Sequence, residues 1–245
     1  MKVMTSEPVD DPGAADAPDR IDPMRAAVPQ LHARLRRLII RGELSPGTRI
    51  VRRDLAARYT VSRQPIGEAC NRLAEEGLLD VFSQRGTYVS RIDIDAVLSA
   101  RFVLEAVEVD MACLLAARLE PEVITRLERI VEAQAALVDS PEPAPFVELD
   151  DAFHRGIALA AGQGRAHEAL QAIRVQLDRL RHLLARRSPR APAVDQHRRI
   201  VAALRARDTR AVETAMREHQ RRMLDGLQDA VDARPDDFDG RPVPP

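Results

Sequence analysis

Three histidines and one aspartate in the C-terminal half of the chain have residue types and spacings that suit a metal site. Asp150 precedes His154 by four residues, which puts both side chains on the same side of a helix. His197 and His219 each fall in an apolar stripe of helical spacing, which points them into a helical core. Buried polar groups must be paired, and a divalent cation would satisfy all four side chains together.

Spacing alone leaves a second interpretation of these residues open. Each histidine also fits an ordinary core residue whose ring bonds to a backbone carbonyl, and no HExxH or CxxC motif favours the metal. The other three histidines are near arginine or on polar faces and are predicted at the surface: His32, His167 and His182.

The elements that carry these residues are predicted to be helices. From Ile92 onward, apolar residues recur every three or four positions, and glycines, prolines and polar pairs interrupt the pattern at intervals. One stripe runs through Leu170, Ile173 and Leu177. The pattern predicts an all-α bundle of about six helices over residues 92–231.

Composition agrees with a chain that is mainly α. The chain has 245 residues, of which 45% are hydrophobic. This length and hydrophobic fraction are sufficient for two domains, each with its own hydrophobic core. Aromatic residues make up only 3% and tryptophan is absent, so Leu, Ala, Val and Ile must build the core, as suits helix packing. Residues 1–24 and 232–245 lack periodicity and are predicted to be disordered tails.

The N-terminal region, residues 25–91, has the pattern of a winged helix-turn-helix with a small β-hairpin wing. Helices are predicted at Arg25–Arg41, Arg52–Tyr59 and Ser62–Glu76, and two β-prone runs follow within Leu78–Val89. In such a module the start of the second helix of the motif faces base edges in the major groove. Ser62 would cap that helix, and Arg63 and Gln64 would project from its exposed start.

Charge is distributed as a nucleic-acid binding module requires. The whole chain has a net charge of −1, but residues 31–91 hold twelve arginines against six acidic residues. An arginine cluster by itself is usually a solvated face. Here the motif, the turn and the wing coincide with the cluster, which favours DNA binding.

Several classes of protein are disfavoured. Cys70 and Cys113 form no CxxC pair, and the N-terminus lacks a charged segment followed by an apolar run. No apolar stretch approaches the ~20 residues of a membrane span. We therefore expect a soluble, cytoplasmic protein with no membrane partner.

The helix-turn-helix resembles that of the GntR family. Residues 54–79 read DLAARYTVSRQPIGEACNRLAEEGLL, and the wing ends in RGTYV. The resemblance implies that arginines contact phosphate or guanine and that the wing tip approaches the minor groove. It departs from the family at Gly67, where an arginine is usual, and at Thr60, where a glycine is usual. The DNA-binding residues it implies are Arg53, Ser62, Arg63, Gln64, Arg85 and Gly86.

The helical half resembles the FadR C-terminal domain (FCD) branch of that family. The branch has an R…E pair, a D…H pair and one histidine on each of its last two helices, matched here by Arg101 and Glu105, Asp150 and His154, His197, and His219. The resemblance implies that the last four residues hold a divalent metal, zinc or nickel, and that Arg101 binds the carboxylate of an effector. Arg101 also fits an ion pair with Glu105 one turn on.

Together these features predict a regulator of transcription rather than an enzyme. We expect a homodimer that binds a double-stranded operator as a repressor and responds to a small organic acid bound at or near the metal. Two alternatives stay open at this point. One is a metal-dependent hydrolase that uses the Asp/His cluster, and the other is a metal-free helical interaction domain fused to a DNA-binding module.

Overall fold

The computed structural model describes residues 21–239. Its N-terminal part contains a three-helix unit and a small sheet, in the order α1 (Ala27–Ile40), β1 (Arg49–Ile50), α2 (Arg52–Tyr59), α3 (Arg63–Glu75), β2 (Leu79–Phe82) and β3 (Gly86–Val89). The strands are antiparallel in the order β1-β3-β2. The predicted winged helix-turn-helix is thus confirmed as a fold, and the short strand β1 was not predicted.

Two tight turns in this unit require residues in the left-handed region of backbone conformation. Thr60 ends α2 in the left-handed region, with φ 55° and ψ 46°, so the turn requires a conformation that glycine adopts more easily. The wing turns through Gln84 and Gly86, with φ of 62° and 114°. The core beneath is apolar, and its fully buried members include Leu31, Leu35, Tyr59, Ile66, Cys70, Leu73 and Leu78.

The C-terminal part is a helical bundle, as predicted. Its described elements are β4 (Ile92–Asp93), α4 (Ile94–Arg118), α5 (Pro121–Ala135), α6 (Ala144–Ala160), α7 (Gly164–Leu170), α8 (Val175–Ala185), α9 (Ala191–Arg205), α10 (Thr209–Arg222), α11 (Leu227–Ala233) and β5 (Phe238–Asp239). Asp93 and Asp208 cap α4 and α10 by accepting hydrogen bonds from Ala96 N and Ala211 N, both at 3.0 Å.

The bundle has eight described helices where about six were expected. The stripe through Leu170, Ile173 and Leu177 was read as one helix, but the chain turns between α7 and α8, and the side chain of Ile173 is 44% exposed. Pro121 begins α5, a position where its missing N–H would have no partner within the helix.

The prediction of a disordered tail from residue 232 is wrong for residues 232–239. α11 continues to Ala233, a 3-10 turn follows at Pro235–Asp237, and β5 pairs in parallel with β4. The side chain of Phe238 is only 5% exposed and packs in the core beside Ile92. The burial of Phe238 and the pairing of β5 with β4 hold this segment against the bundle. The other residues of that segment, 240–245, lie outside the described range, as do 1–20 of the predicted N-terminal tail.

Helix α8 joins the two parts. Val175 at its start packs in the N-terminal core, and Gln176 Nε2 donates to Gly77 O at 3.0 Å. The buried guanidinium of Arg179 donates to Ser90 O at 2.6 Å and to Arg91 O at 3.1 Å. The same helix also packs against α4 and α6 of the bundle, so it contacts both parts of the chain.

Candidate metal centre and DNA-binding surface

The structure brings the four predicted metal ligands together. Asp150 and His154 lie on α6, His197 on α9 and His219 on α10. All four are buried, and one potential ligand atom from each lies within 4.8 Å of the others. The Nε2 atoms of His154 and His219 are 3.1 Å apart, and His197 Nε2 is 3.4 Å from Asp150 Oδ1.

The opposite ring nitrogen of each histidine faces an oxygen. His197 Nδ1 donates to Gln134 Oε1 at 2.7 Å, and His219 Nδ1 donates to Gln196 Oε1 at 2.9 Å. His154 Nδ1 lies 2.7 Å from Glu108 Oε2. Acceptors at Nδ1 place the proton there and leave the Nε2 lone pairs turned toward one another, which is the arrangement found around metal-binding histidines.

The donor set fits a divalent transition metal. His197 Nε2 is buried and has no hydrogen-bond partner among the described residues, and leaving a buried polar atom unpaired is costly. Three imidazole nitrogens and one carboxylate suit zinc and related metals, which commonly take such ligands with a further position left open. A metal would give all three Nε2 atoms a shared partner.

A network of carboxylates and guanidinium groups lies beside the ligands. Arg181 donates to Asp150, to Asp151 at 2.8 Å and to Asp178 at 3.0 Å. Arg174 donates to Asp151 at 2.6 Å and to Asp178 at 3.0 Å. Burial alone would raise the pKa of Asp150, but Arg181 and the nearby histidines outweigh it and hold that pKa well below its usual range.

The protonation states of two of the three histidines favour metal binding. Burial, with the neighbouring His154, lowers the pKa of His219 to about 4. Burial and the neighbouring His219 hold the pKa of His197 well below its usual range. Burial would also lower the pKa of His154, but Glu108 outweighs it and raises that pKa. His197 and His219 are therefore neutral near pH 7, as ligands must be.

A cavity of about 440 Å³ opens onto two of the ligands, Asp150 and His219. Its walls are largely apolar and include Phe146, Leu184, Pro192 and Met223, with the arginines Arg181, Arg190 and Arg222 among them. Pockets of this size hold small organic ligands. The cavity thus gives a small molecule access to the edge of the metal centre.

Arg101 is not brought into this cavity. Its guanidinium forms an ion pair with the buried carboxylate of Glu105, which also accepts from Arg217 and Arg221, each at 3.1 Å. It does not line the cavity that touches Asp150. The structure therefore favours the ion-pair interpretation of Arg101 over the effector-binding one.

Two histidines predicted at the surface are buried instead. The side chains of His167 and His182 are each only 7% exposed. Burial and the adjacent Arg181 lower the pKa of His182 to about 4. His167 lies on α7 and His182 on α8. Both have arginines nearby in the sequence, which is why they were predicted at the surface.

Sequence reasoning also missed the residues that orient the ligands. Gln134 is fully buried and Gln196 is 6% exposed. A signal was present for Gln134, because it continues the apolar stripe of Leu127 and Val131. A polar residue in such a stripe requires a buried partner, and here the partner is His197.

Five of the six residues predicted to contact DNA are exposed on the N-terminal unit, and the sixth, Gly86, is half-buried. Arg63 and Gln64 open α3 and are exposed, with Gln64 Nε2 donating to Glu68 Oε1 at 3.1 Å. Arg53 is exposed on α2 and its Nε donates to Asp54 Oδ1 at 3.0 Å. Ser62 occupies the N-cap position of α3, but its side chain makes no capping hydrogen bond.

The backbone of the wing turn passes close to the side chain of Arg49. Gly86 has φ 114°, and a Cβ there would lie 3.4 Å from Arg49 Nε. The hydroxyl of Tyr88 donates to Arg85 O at 3.0 Å and supports the turn. The side chain of Arg85 is exposed at the tip of the wing.

None of the described helices is both long enough and apolar enough to cross a membrane.

Each half of the chain matches a known protein family. Residues 28–89 match the model of bacterial regulatory proteins of the gntR family, and residues 100–222 match the FCD domain. An HTH-type transcriptional regulator from an unstable DNA locus of Streptomyces ambofaciens is 36% identical over 200 residues, which are 81% of this chain and 84% of that protein. The HTH-type transcriptional repressor RspR of Escherichia coli is 30% identical over 210 residues, 85% and 92% of the two chains.

Solved structures share the fold at low identity. E. coli McbR/YncC superposes with a TM-score of 0.71 at 18% identity and covers 84% of this chain and 99% of that one. A GntR regulator of Rhodococcus sp. RHA1 gives a TM-score of 0.65 at 21% identity, covering 81% and 97%. Relatives and domains are those of regulators, not of enzymes. The chain belongs to the GntR family of DNA-binding transcription regulators and carries an FCD domain in its C-terminal half.

Proposed function

We propose that this regulator is a homodimeric repressor whose operator affinity is set by a small organic acid bound beside a divalent metal, with zinc as the first candidate. The metal is held by Asp150, His154, His197 and His219. The observation that carries the proposal is the convergence of their ligand atoms within 4.8 Å. An isolated core histidine needs one backbone acceptor, whereas three buried rings that face one another need a shared partner.

Charge balance supports a divalent ion. Around the ligands, the guanidinium groups of Arg174 and Arg181 face four carboxylates, those of Glu108, Asp150, Asp151 and Asp178. With the histidines neutral, as metal ligands must be, and all four carboxylates ionised, this leaves two negative charges in a largely buried region, which is unfavourable in a low dielectric. A metal of charge +2 would neutralise the cluster.

Because the metal would be balanced by the protein, an anionic effector needs another cation. Arg190 is the candidate in the cavity. Its Nη2 donates to Ser140 O, its guanidinium carbon lies 5.6 Å from the centre of the Phe146 ring, and no carboxylate pairs with it among the described residues. By contrast, Arg181 pairs with Asp150, and Arg222 lies 3.6 Å from Asp225.

The proposed effector is therefore a carboxylate with an apolar body. Its acid group would bind Arg190, its body would lie against Phe146 and Leu184, and it would reach the open side of the metal. Arg190 Nη1 is shielded from solvent and has no acceptor in the described part of the chain. A carboxylate in the cavity would supply one.

Helix α8 gives the effector a route to the DNA-binding unit. Arg181 on this helix holds Asp150, and Arg179 and Gln176 hold the backbone at Ser90 and Gly77. A small movement of α8 would shift the winged unit relative to the bundle. In a dimer this would change the spacing of the two recognition helices, which must match two half-sites of the operator.

An exposed aromatic residue supports the dimer. Phe102 on α4 is 70% exposed, although that helix is otherwise a major part of the bundle core. Light scattering of the wild type and a Phe102→Glu variant tests this part. We expect a dimer that weakens in the variant, and a wild-type monomer at micromolar concentration would contradict it.

The effector is tested with zinc-loaded protein and three defined probes, acetate, hexanoate and benzoate, with benzamide as the uncharged match of benzoate. We expect hexanoate or benzoate to bind and to release a selected operator, and benzamide not to. An Arg190→Gln variant should bind the acid about tenfold more weakly, as expected for the loss of a charge-assisted contact. Arg222→Gln, in the same cavity, is the control. Equal binding by the Arg190→Gln variant would contradict the assignment.

A further inference from the structure

The guanidinium group of Arg52 lies over Gly67 of α3, the helix that is predicted to enter the major groove. Arg52 is the first residue of α2, yet its side chain crosses to α3 and reaches Gly67. A Cβ built at Gly67 would lie 3.4 Å from Arg52 Nη1 and 3.9 Å from Cζ. A Cβ at Gly67 would just touch this guanidinium, and a longer side chain would occupy the same space.

This position is on the side of α3 that faces DNA. Gly67 follows Arg63 by four residues and Gln64 by three, and residues at these spacings share one face of a helix. Arg63 and Gln64 are exposed at the start of α3, the part of a recognition helix that enters the major groove. The guanidinium of Arg52 therefore extends that surface by about one helical turn.

Arg52 is also available to bind a ligand. It is exposed, and no hydrogen bond or ion pair joins it to another residue in the described part of the chain. Its neighbour Arg53 differs, because Arg53 Nε donates to Asp54 Oδ1 at 3.0 Å. A guanidinium without an internal acceptor loses no ion pair when it contacts DNA.

We propose that Arg52 reads a base edge in the major groove beside Arg63, and that Gly67 is the residue that permits it. Guanine is the base that suits this contact, since its O6 and N7 accept two hydrogen bonds from one guanidinium group. The recognition surface is then built from two helices, with α2 supplying a side chain where α3 has none. Glycine is disfavoured inside a helix, but a longer side chain at this position would compete with Arg52 for the same space.

The first test compares two DNA duplexes by fluorescence anisotropy at fixed salt. One duplex is selected from a random-sequence library by the wild-type protein, and the other is unrelated. We expect Arg52→Ala to weaken binding to the selected duplex by about 5- to 150-fold, the range for loss of a base contact, and binding to the unrelated duplex by less than about threefold. Arg72→Ala removes an exposed arginine from the far end of α3 and should affect both duplexes little.

The selected sequence gives an independent readout. Repeating the selection with the Arg52→Ala protein should relax one guanine position and leave the others. An equal loss of affinity on both duplexes would make Arg52 a phosphate contact and overturn the proposal. Unchanged binding to the selected duplex would overturn it as well.

The second test removes the room that Arg52 needs. A Gly67→Leu variant should displace Arg52 and lose the same preference, while its helix is stabilised by a better helix former. In that background a further Arg52→Ala change should have little effect, because the contact is already lost. Circular dichroism and thermal unfolding confirm the fold of each variant. Independent, additive losses from the two changes would contradict a shared role.

Discussion

His197 Nδ1 lies 2.7 Å from Gln134 Oε1, and both side chains are fully buried. This contact joins α5 to α9 and fixes which nitrogen of the ring faces Asp150. Gln134 also donates through Nε2 to Asp150 Oδ1 at 3.4 Å. One amide thus orients two of the four candidate ligands, although it is not a ligand itself.

Removing that amide should weaken metal binding while leaving the four ligands in place. We expect Gln134→Leu to lower zinc affinity about 10- to 100-fold, the usual effect of losing a partner of a metal ligand. Competition with a chromogenic chelator measures the change. Gln228→Leu, on the exposed surface, is the matched control. Unaltered zinc affinity in the Gln134→Leu protein would show that the contact does not orient the site.

The buried His182 should make the fold sensitive to acid. Its folded pKa is about 4, below the unfolded value near 6.5, so the unfolded chain binds the proton more tightly. The free energy of unfolding contributed by this residue is then complete above the unfolded pKa and is lost as the pH falls from about 6.5 towards 4. Urea unfolding at several pH values should show a shallower decline in His182→Gln. Identical declines in the two proteins would refute this assignment.

Arg179 should connect the bundle to the winged unit. Its guanidinium is 3% exposed and donates to Ser90 O, Ser90 Oγ and Arg91 O at 2.6, 3.0 and 3.1 Å. Arg179→Met removes these donors and leaves buried acceptors unpaired, which costs about 1–3 kcal/mol for each group. We expect a lower melting temperature and faster hydrogen exchange at residues 89–92. Arg187→Met, an exposed change near the end of the same helix, should alter neither.

Docking of the C-terminal segment should contribute to stability. Truncation after Ala233 removes Phe238, whose burial is worth about 1.5–3 kcal/mol, together with the pairing of β5 and β4. Chemical denaturation should report a loss of that order. Truncation after Asp239 retains the strand and serves as the control. If both truncated proteins unfold at the same denaturant concentration as the full chain, the segment does not stabilise the bundle.

Sequence patterns predicted the elements best where local chemistry determines them. Helix α2 was predicted at its observed bounds and α3 within one residue at each end, because apolar spacing, a turn and a glycine all mark the same boundaries. The four candidate ligands converge as predicted because each was placed on an inward helix face. The fold and family are confirmed, while the occupant of the metal centre is a proposal.

The failures came from contacts that spacing does not encode. For Arg101 the sequence left two interpretations open, an effector contact and an ion pair with Glu105; the structure shows the ion pair, and Glu105 is shared with two further arginines. Phe238 docks a segment whose composition resembles a disordered tail. Arg190 belongs to no apolar stripe or motif, and the role proposed for it depends on a cavity between helices. The roles of such residues depend on neighbours that are distant in sequence, and these neighbours are known only once the packing of the helices is known.

The most direct test of the metal centre is its stoichiometry. Protein purified without chelator and analysed by plasma mass spectrometry should carry close to one divalent metal per chain. A His197→Ala/His219→Ala protein that remains folded by circular dichroism should carry almost none, because half of the ligand set is gone. Metal-free wild-type protein that is equally stable and does not bind added zinc would contradict the account and leave the histidines as core residues.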